Sequence, residues 1–474
     1  MSSIFSKFPK TFWTANTIEL IERFAWYGFF MLFANYLTQS TEMGALGFTQ
    51  SQKGWIMGVG TGILYFLPLI TGSIADKYGY KKVLALAFVI YTSAFILLPM
   101  FDSFVGVFCM YLYLALGAAL FKPIISATVA KTTTPETSSI GFGIFYMMVN
   151  LGAFFGPMVT LAFRNSSYDL VFHISAAIIA VNFIMLLFYK EPEREVKKES
   201  FGESMKTVFK NIYVALSDFK FVIFLLLVAG FWTMYNQLFF TLPVFITQWV
   251  DTSVVYEFLH GISPWITDTY GHAGQMEAEF ITNFDAMFII LFQIAVSTLV
   301  MRWKPLNTMM TGFLVCAIGM ALTLFTQNVM FTIGAIFIFA VGEMAGSPKI
   351  TEYIGRIAPK DKVALYMGCS FIPVFIGNVG AGIISGDVYG VMSDKAVLVK
   401  RALAERGLDV ADGLTKNEVF AKAGELMNMS ERELTDYLWT TYHPSNIWMV
   451  IFGIGLLATV GLFVYDKFLL KENK

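Results

Sequence analysis

Residues 17–33 read TIELIERFAWYGFFMLF, and this stretch decides how the rest of the chain is read. It opens the first long apolar segment, residues 17–38, yet it carries Glu19, Glu22 and Arg23. A charged side chain inside a bilayer costs roughly 2.5–3.5 kcal/mol on insertion scales. Three of them so close together are tolerable only if they pair with one another or line a watery cavity. Spacings of i, i+3 and i+4 put all three on one helix face. That face is predicted to look into the protein, so the chain reads as a membrane protein with a polar, substrate-handling interior.

The composition agrees. The chain has 474 residues, 56% hydrophobic, 16% aromatic and only 14% charged, against about 25% charged in soluble proteins. A net charge of −1 leaves no basic footprint, and no nucleic-acid partner is expected. Cys109, Cys316 and Cys369 lie in or beside apolar runs without metal or disulfide spacing, and His173, His260, His272 and His443 are scattered. No metal site and no cofactor are expected. Gly58-Val-Gly60-Thr-Gly62 lies within an apolar span and does not follow a soluble strand, which argues against a dinucleotide site. With no nucleophile arrangement and no phosphate loop, an enzyme is not expected. Residues 1–13, MSSIFSKFPKTFW, lack the apolar core and cleavage site of a signal peptide, so insertion is expected to use the first helix.

A membrane-crossing helix needs about 20 mostly apolar residues. Candidate spans are 15–38, 53–75, 82–100, 104–130, 138–163, 167–189, 221–249, 280–302, 306–326, 328–348, 363–386 and 445–469. The charged stretch 190–220 divides them into two equal groups and is too polar to span. The predicted fold is an all-α membrane protein of about 12 transmembrane helices in two six-helix bundles, the layout of a two-bundle transporter. The expected divisions are an N-terminal bundle at 1–189, a cytoplasmic linker at 190–220 and a C-terminal bundle at 221–474. An amphipathic, soluble-looking insertion at 387–444 is expected to form a small extracytoplasmic cap. Lys77, Lys81, Lys82, Lys131, Arg302, Lys304, Lys349, Arg356, Lys360, Lys362, Lys467, Lys471 and Lys474 fall in alternate loops and at the C-terminus, whereas 39–51 and 251–279 hold no Lys or Arg. This bias predicts a multi-pass protein of the cell (plasma or inner) membrane, its partner the lipid bilayer, with both termini cytoplasmic.

Further polar residues interrupt the apolar text. Lys122, followed by Pro123, could snorkel to the interface, but beside Glu19 and Glu22 an ion pair is the better reading. Asn150 is as readily helix–helix glue as a ligand contact. Asp285 could lie near its helix end, whereas Glu343 is surrounded by apolar residues and reads as interior. Glu19, Glu22, Asp285 and Glu343 against Arg23 and Lys122 leave two surplus acids. Dehydrated, unpaired carboxylates take up protons. Glu343, without a basic neighbour in its helix, is the first candidate for proton coupling, and Glu22 the second. A zwitterion suits the layout, its carboxylate meeting the basic pair of the first bundle and its ammonium the acids of the second.

Several motifs carry a family resemblance. Gly72-Ser-Ile-Ala-Asp76-Lys77-Tyr-Gly79-Tyr-Lys81-Lys82 resembles the structural loop motif of the major facilitator superfamily, in which the aspartate can cap a neighbouring helix. Glu19-x-x-Glu22-Arg23-Phe24 with Trp26-Tyr27-Gly28 resembles the first-helix element of the proton-dependent oligopeptide transporter family. Tyr65-x-x-Pro68, Phe121-Lys122-Pro123-x-x-Ser126, Phe145-Tyr146-x-x-x-Asn150-x-Gly152, Phe231-Trp232-x-x-x-x-Gln237, Gly342-Glu343-x-x-x-Ser347-Pro348, Ala358-Pro359 and Gly377-Asn378 follow in that family's order. The resemblance implies proton-driven uptake of small peptides by alternating access, in a monomer, with the proton as coupling ion. It implies that Arg23 and Lys122 attract the peptide carboxylate, that Glu19 and Glu22 interact with Lys122, that Asn150 and Glu343 hold the amino end, and that Tyr27, Tyr65 and Trp232 line the pocket.

Four positions depart from that pattern. Phe30 and Asn236 stand where many members pair an arginine with an acid, Asp285 occupies an asparagine position, and Ser370 replaces a tryptophan. Loss of both partners of one ion pair avoids a stranded charge. The departures keep other cargoes open: a modified amino acid, nitrate or a drug-like anion. A non-transporting sensor is the alternative of a different class.

Overall fold

The computed structural model describes residues 6–134, 136–164, 166–193, 201–323, 326–359 and 362–469. Part of the linker (194–200), Lys360, Lys471, Lys474 and two residues of the span expected at 306–326 lie outside them. The first bundle contains α1 (Lys10–Thr38), α2 (Gln50–Phe66), α3 (Pro68–Tyr78), α4 (Tyr80–Leu97), α5 (Phe104–Lys131), α6 (Ser138–Arg164) and α7 (Tyr168–Phe188). A linker helix α8 (Phe201–Leu216) follows. The second bundle starts with α9 (Phe219–Tyr235), α10 (Gln237–Phe240) and α11 (Leu242–Trp249), which run nearly end to end. Two short helices, α12 (Ser253–Ile262) and α13 (Pro264–Tyr270), precede a two-stranded hairpin, Gly271–His272 against Gln275–Met276. Then come α14 (Ala278–Thr282), α15 (Phe284–Val300), α16 (Pro305–Leu322), α17 (Val329–Ile357), α18 (Val363–Gly368), α19 (Phe371–Ile383) and α20 (Tyr389–Met392). The polar insertion forms α21 (Lys395–Glu405), α22 (Lys416–Met427) and α23 (Glu431–Tyr442), and α24 (Ile447–Val464) closes the bundle.

Local chemistry sets many of these ends. Thr49 and Gln52 form a reciprocal capping box at α2, as do Thr415 with Glu418 at α22 and Ser430 with Glu433 at α23. Gly79 turns the chain between α3 and α4 at φ +102°, a conformation that other residues rarely adopt.

Ten described helices are long and apolar enough to cross a membrane, and α2 with α3, bent by 43° at Leu67–Pro68, makes eleven. Helix α1 is long enough but falls short in apolar content, and it carries Glu19, Glu22 and Arg23 in its middle. Large apolar side chains cover the outside, Ile294 being 83% and Leu187 75% exposed, as lipid-facing surfaces require. The helix expected to stop at Pro348 continues to Ile357 with the proline inside it, and the single span expected at 221–249 is interrupted at Asn236 and Thr241.

Residues 39–49, 251–277 and the insertion form one end of the molecule, the cap end; the opposite end, at the linker, is the linker end. At the cap end, α2 and α19 approach so closely that a Cβ on Gly54 would collide with the Gly382 carbonyl, and one on Gly58 would lie 2.8 Å from Gly382 Cα.

Candidate functional site

Arg23 on α1 shares its guanidinium between two acids. Nη2 donates to Glu22 Oε1 at 2.6 Å, Nε donates to Glu22 Oε2, and Nε lies 3.2 Å from Glu19 Oε1. Tyr91 Oη donates to Glu22 Oε1 at 2.7 Å. All three charged groups are buried, Glu22 completely. Such a cluster survives burial because the geometry is bidentate and the remaining lone pairs are used.

Lys122 on α5 makes no ion pair within 4.0 Å among the described residues; its Nζ lies 4.0 Å from the Tyr65 ring centroid. The salt bridge expected from Lys122 to Glu19 or Glu22 is therefore not formed. Arg23, on the same helix as both acids, has taken them with a planar fork that an ammonium lacks. Lys122 still feels both carboxylates, and the ring face supplies a cation–π contact in exchange.

The second bundle contributes acids. Tyr235 Oη donates to Glu343 Oε1 at 2.8 Å, while Glu343 Oε2 is buried and has no hydrogen-bond partner among the described residues. Asp285 is buried, within electrostatic reach of Glu343, and its Oδ1 also lacks a partner among the described residues. Tyr27 bridges the two sides: its ring lies 5.9 Å from the Arg23 guanidinium, and it senses Glu343.

Between these groups lies a cavity of about 340 Å³, within the roughly 300–1,000 Å³ of small-molecule sites. Tyr27, Tyr65, Trp232, Asn236 and Ser370 line it, together with Phe30. Arg23, Lys122, Asn150, Asp285 and Glu343 are not in its wall; Tyr27, Tyr65 and Tyr235 stand between it and Arg23, Lys122 and Glu343 respectively. Asn150 donates to its own helix at Tyr146 O, 2.8 Å, and Asn236 donates likewise to Trp232 O at 2.8 Å. Lys122, Asn150 and Glu343 keep partial exposure, and Tyr146, which feels Glu343, is 43% exposed.

In the structural loop motif, Asp76 accepts from Tyr80 Oη at 3.1 Å, whereas the first amide of α4 is held by Glu191 Oε1 at 3.0 Å. Glu191 of the linker thus holds that amide, while Asp76 and Lys77 lie against α8. Gly72 needs no special space, since an added Cβ would meet Pro123 at an ordinary 3.8 Å.

Sequence reasoning missed the cap-end contacts between bundles. Asn35 Nδ2 donates to Glu279 Oε1 at 2.8 Å and to Thr247 Oγ1 at 3.0 Å; Arg164 pairs with Glu277; Lys53 Nζ, fully buried, donates to Phe240 O at 2.8 Å. Each residue lies at or near the end of its span, where charge is unremarkable in a sequence.

The profile of the Major Facilitator Superfamily matches residues 18–382. The uncharacterized MFS-type transporter YqjV of Bacillus subtilis (strain 168) is 22% identical over 333 residues, 68% of this chain and 74% of that protein. Dipeptide and tripeptide permease A of Salmonella typhi is 26% identical over 238 residues, 49% of this chain and 45% of the permease. The match thus spans less than half of the permease's length. The crystal structure of a POT family transporter in complex with 5-aminolevulinic acid has a TM-score of 0.70 at 17% identity, over 98% of this chain and 97% of that one. It is similar in fold.

Proposed function

The chain belongs to the Major Facilitator Superfamily, whose members are transporters and not enzymes, and we propose that it is a proton-coupled symporter importing di- and tripeptides by alternating access. The observation that carries this reading is the charge layout. Cations come from the first bundle, at Arg23 and Lys122, and carboxylate oxygens without a partner among the described residues come from the second, at Glu343 and Asp285, with an aromatic cavity between them.

A peptide carboxylate competes with Glu19 for Arg23 and draws Lys122 off the Tyr65 ring. The ammonium end meets Glu343, whose free oxygen is the acceptor still available. Glu343 carries the coupled proton: with Oε2 buried and no base paired with it among the described residues, it binds one, and it releases it when water or the ammonium replaces the lost solvation. Glu22, already held by Arg23 and Tyr91, is the weaker candidate. Asn150 and Asn236 spend their amides on their own helices and serve as packing partners until a ligand recruits them. This reading places the protein in the cell (plasma or inner) membrane as a monomer, termini and linker cytoplasmic, cap end outside.

Uptake of labelled dialanine into proteoliposomes, with and without an imposed proton gradient, tests it. Wild type should accumulate peptide only with the gradient; Glu343→Gln should retain exchange but lose accumulation about tenfold or more, equivalent to about 1.4 kcal/mol of coupling. Gradient-driven accumulation that survives in the variant contradicts the assignment. A second reading is favoured by Asn236 and Ser370 in the cavity wall: the same fold carrying another small zwitterion or anion. Competition by dipeptides, 5-aminolevulinic acid and nitrate separates the cargoes, and binding without flux identifies a sensor.

A further inference from the structure

The cap-end interface holds two acids and one base that the central chamber does not use. Arg164 on α6 pairs with Glu277, and its Nη2 also donates to Gln39 Oε1 at 2.7 Å and to Tyr168 Oη at 3.1 Å. Glu279, just inside the next helix, is fully buried; Oε1 accepts from Asn35, and Oε2 has no partner among the described residues. Glu277 and Glu279 belong to the second bundle, Arg164, Asn35, Gln39 and Tyr168 to the first. Every bond named here except Arg164 to Gln39 and Tyr168 therefore breaks if the bundles part at this end.

We propose that this cluster is the cap-end gate, standing in for the ion pair that Phe30 and Asn236 cannot make, and that closing it takes one proton onto the Glu277–Glu279 pair. Two carboxylates facing one guanidinium carry a net negative charge if both ionise. Glu279 is buried with Oε2 unpartnered among the described residues, and Arg164 is already held by Glu277, so burial favours the neutral form of one acid of the pair. Once the bundles separate, Arg164 and Asn35 leave, and both acids meet the medium on the cap side. Carboxyls in water ionise near pH 4.3, so the proton departs at neutral pH. Acid on the cap side therefore favours the closed gate, which is the state with the chamber facing the linker end.

Lys395, Arg432, Asp251, Glu431 and Asp436 line the same vestibule as Arg164 and Glu277, but neither cation makes an ion pair with Glu277 or Glu279 within 4.0 Å among the described residues. α11 has no charged residue. Asp285 on α15 and Glu343 on α17 lie within electrostatic reach of each other, Glu343 being held by Tyr235 of the central cavity wall. Arg164 and Tyr168 are already counted, and His272 is an exposed neighbour in the cap-end vestibule. Lys53, against Phe240 O, is a further buried titratable bridge between the bundles at this end, and the test includes it.

The gate rests on the alternating-access part of the proposed function and not on the peptide cargo. The test is accordingly made without substrate, and its failure leaves the cargo assignment standing. Spin labels at Met100 and Ile262, which are 72% and 62% exposed on opposite bundles at the cap end, report the opening as a distance distribution. Cys109, Cys316 and Cys369 are replaced by alanine in that background. In wild type the closed-to-open ratio should fall by up to tenfold per pH unit between pH 5 and 8, the limit for one linked proton. Glu279→Gln keeps the acceptor for Asn35 and needs no proton, so it should stay closed with a flat pH profile. Arg164→Gln leaves both acids uncompensated and should move closure to more acid pH with a steeper slope. A flat wild-type profile overturns the proposal. So does a Glu279→Gln profile that tracks wild type, or a pH response that disappears in Lys53→Met but not in Glu279→Gln.

Discussion

Arg23 is a single guanidinium holding two acids inside a membrane helix, and that sets what each substitution does. Arg23→Met strands Glu22 and Glu19 in a buried site, and breaking a buried pair from one side costs about 3–5 kcal/mol. A fall in the detergent-solubilised melting midpoint should follow. Glu19→Gln removes the longer, 3.2 Å contact and leaves the Arg23–Glu22 fork intact, so it should change the midpoint far less while weakening proton coupling in the uptake assay. Equal loss of stability in the two variants would contradict this ranking. The importance of Glu19, Glu22, Arg23 and Glu343 is legible in the sequence because charge within apolar text demands a reason. That of Arg164, Glu277 and Glu279 is not. They sit at span ends, where charge costs little, and only the contact between the two bundles gives them meaning. The pairing of Lys122 escapes the sequence for a related reason: the chain supplies two acids and two bases but does not say which base reaches them first.

At the scale of elements, the spans are legible from apolar length and the interruptions are not. The breaks at Leu67, Asn236 and Thr241 depend on what packs beside them, and a hydropathy window averages over them. The close approach of α2 to α19 is set by Gly54, Gly58 and Gly382. Gly54→Val puts a side chain where the closed state has a carbonyl. Overpacking costs about 1–3 kcal/mol, and here it falls on the closed state alone, which shifts the populations roughly 5- to 150-fold. The Met100–Ile262 distance should lengthen and uptake should drop while the helical content is unchanged. A short distance in the variant would show that α2 and α19 do not form the seal.

Over the whole molecule, the insertion is a strap across both bundles. It belongs to the second half of the chain, yet Lys416 Nζ donates to Thr38 O at 2.7 Å and Phe48 O at 2.8 Å, and Thr415 bonds Glu42, all on the first. Burial pushes the Lys416 amine below its ordinary value, opposed by Asp394, so the ammonium is held by carbonyls and a nearby carboxylate. Hydrogen bonds to charged groups contribute about 1.5–3 kcal/mol each. Lys416→Met should reduce the closed cap-end population about tenfold, roughly 1.4 kcal/mol, read in the same label pair. Polar periodicity marks this segment as helical and soluble, but its role needs the contacts at residues 38–48, far away in the chain.

Function turns on one chamber taking a zwitterion end to end, carboxylate toward the first bundle and ammonium toward the second. An experimental structure with bound dialanine would show the orientation outright. The carboxylate should lie within hydrogen-bond reach of Arg23 or Lys122 and the ammonium on Glu343. A peptide bound the other way round, or one seated outside this chamber, would overturn that assignment.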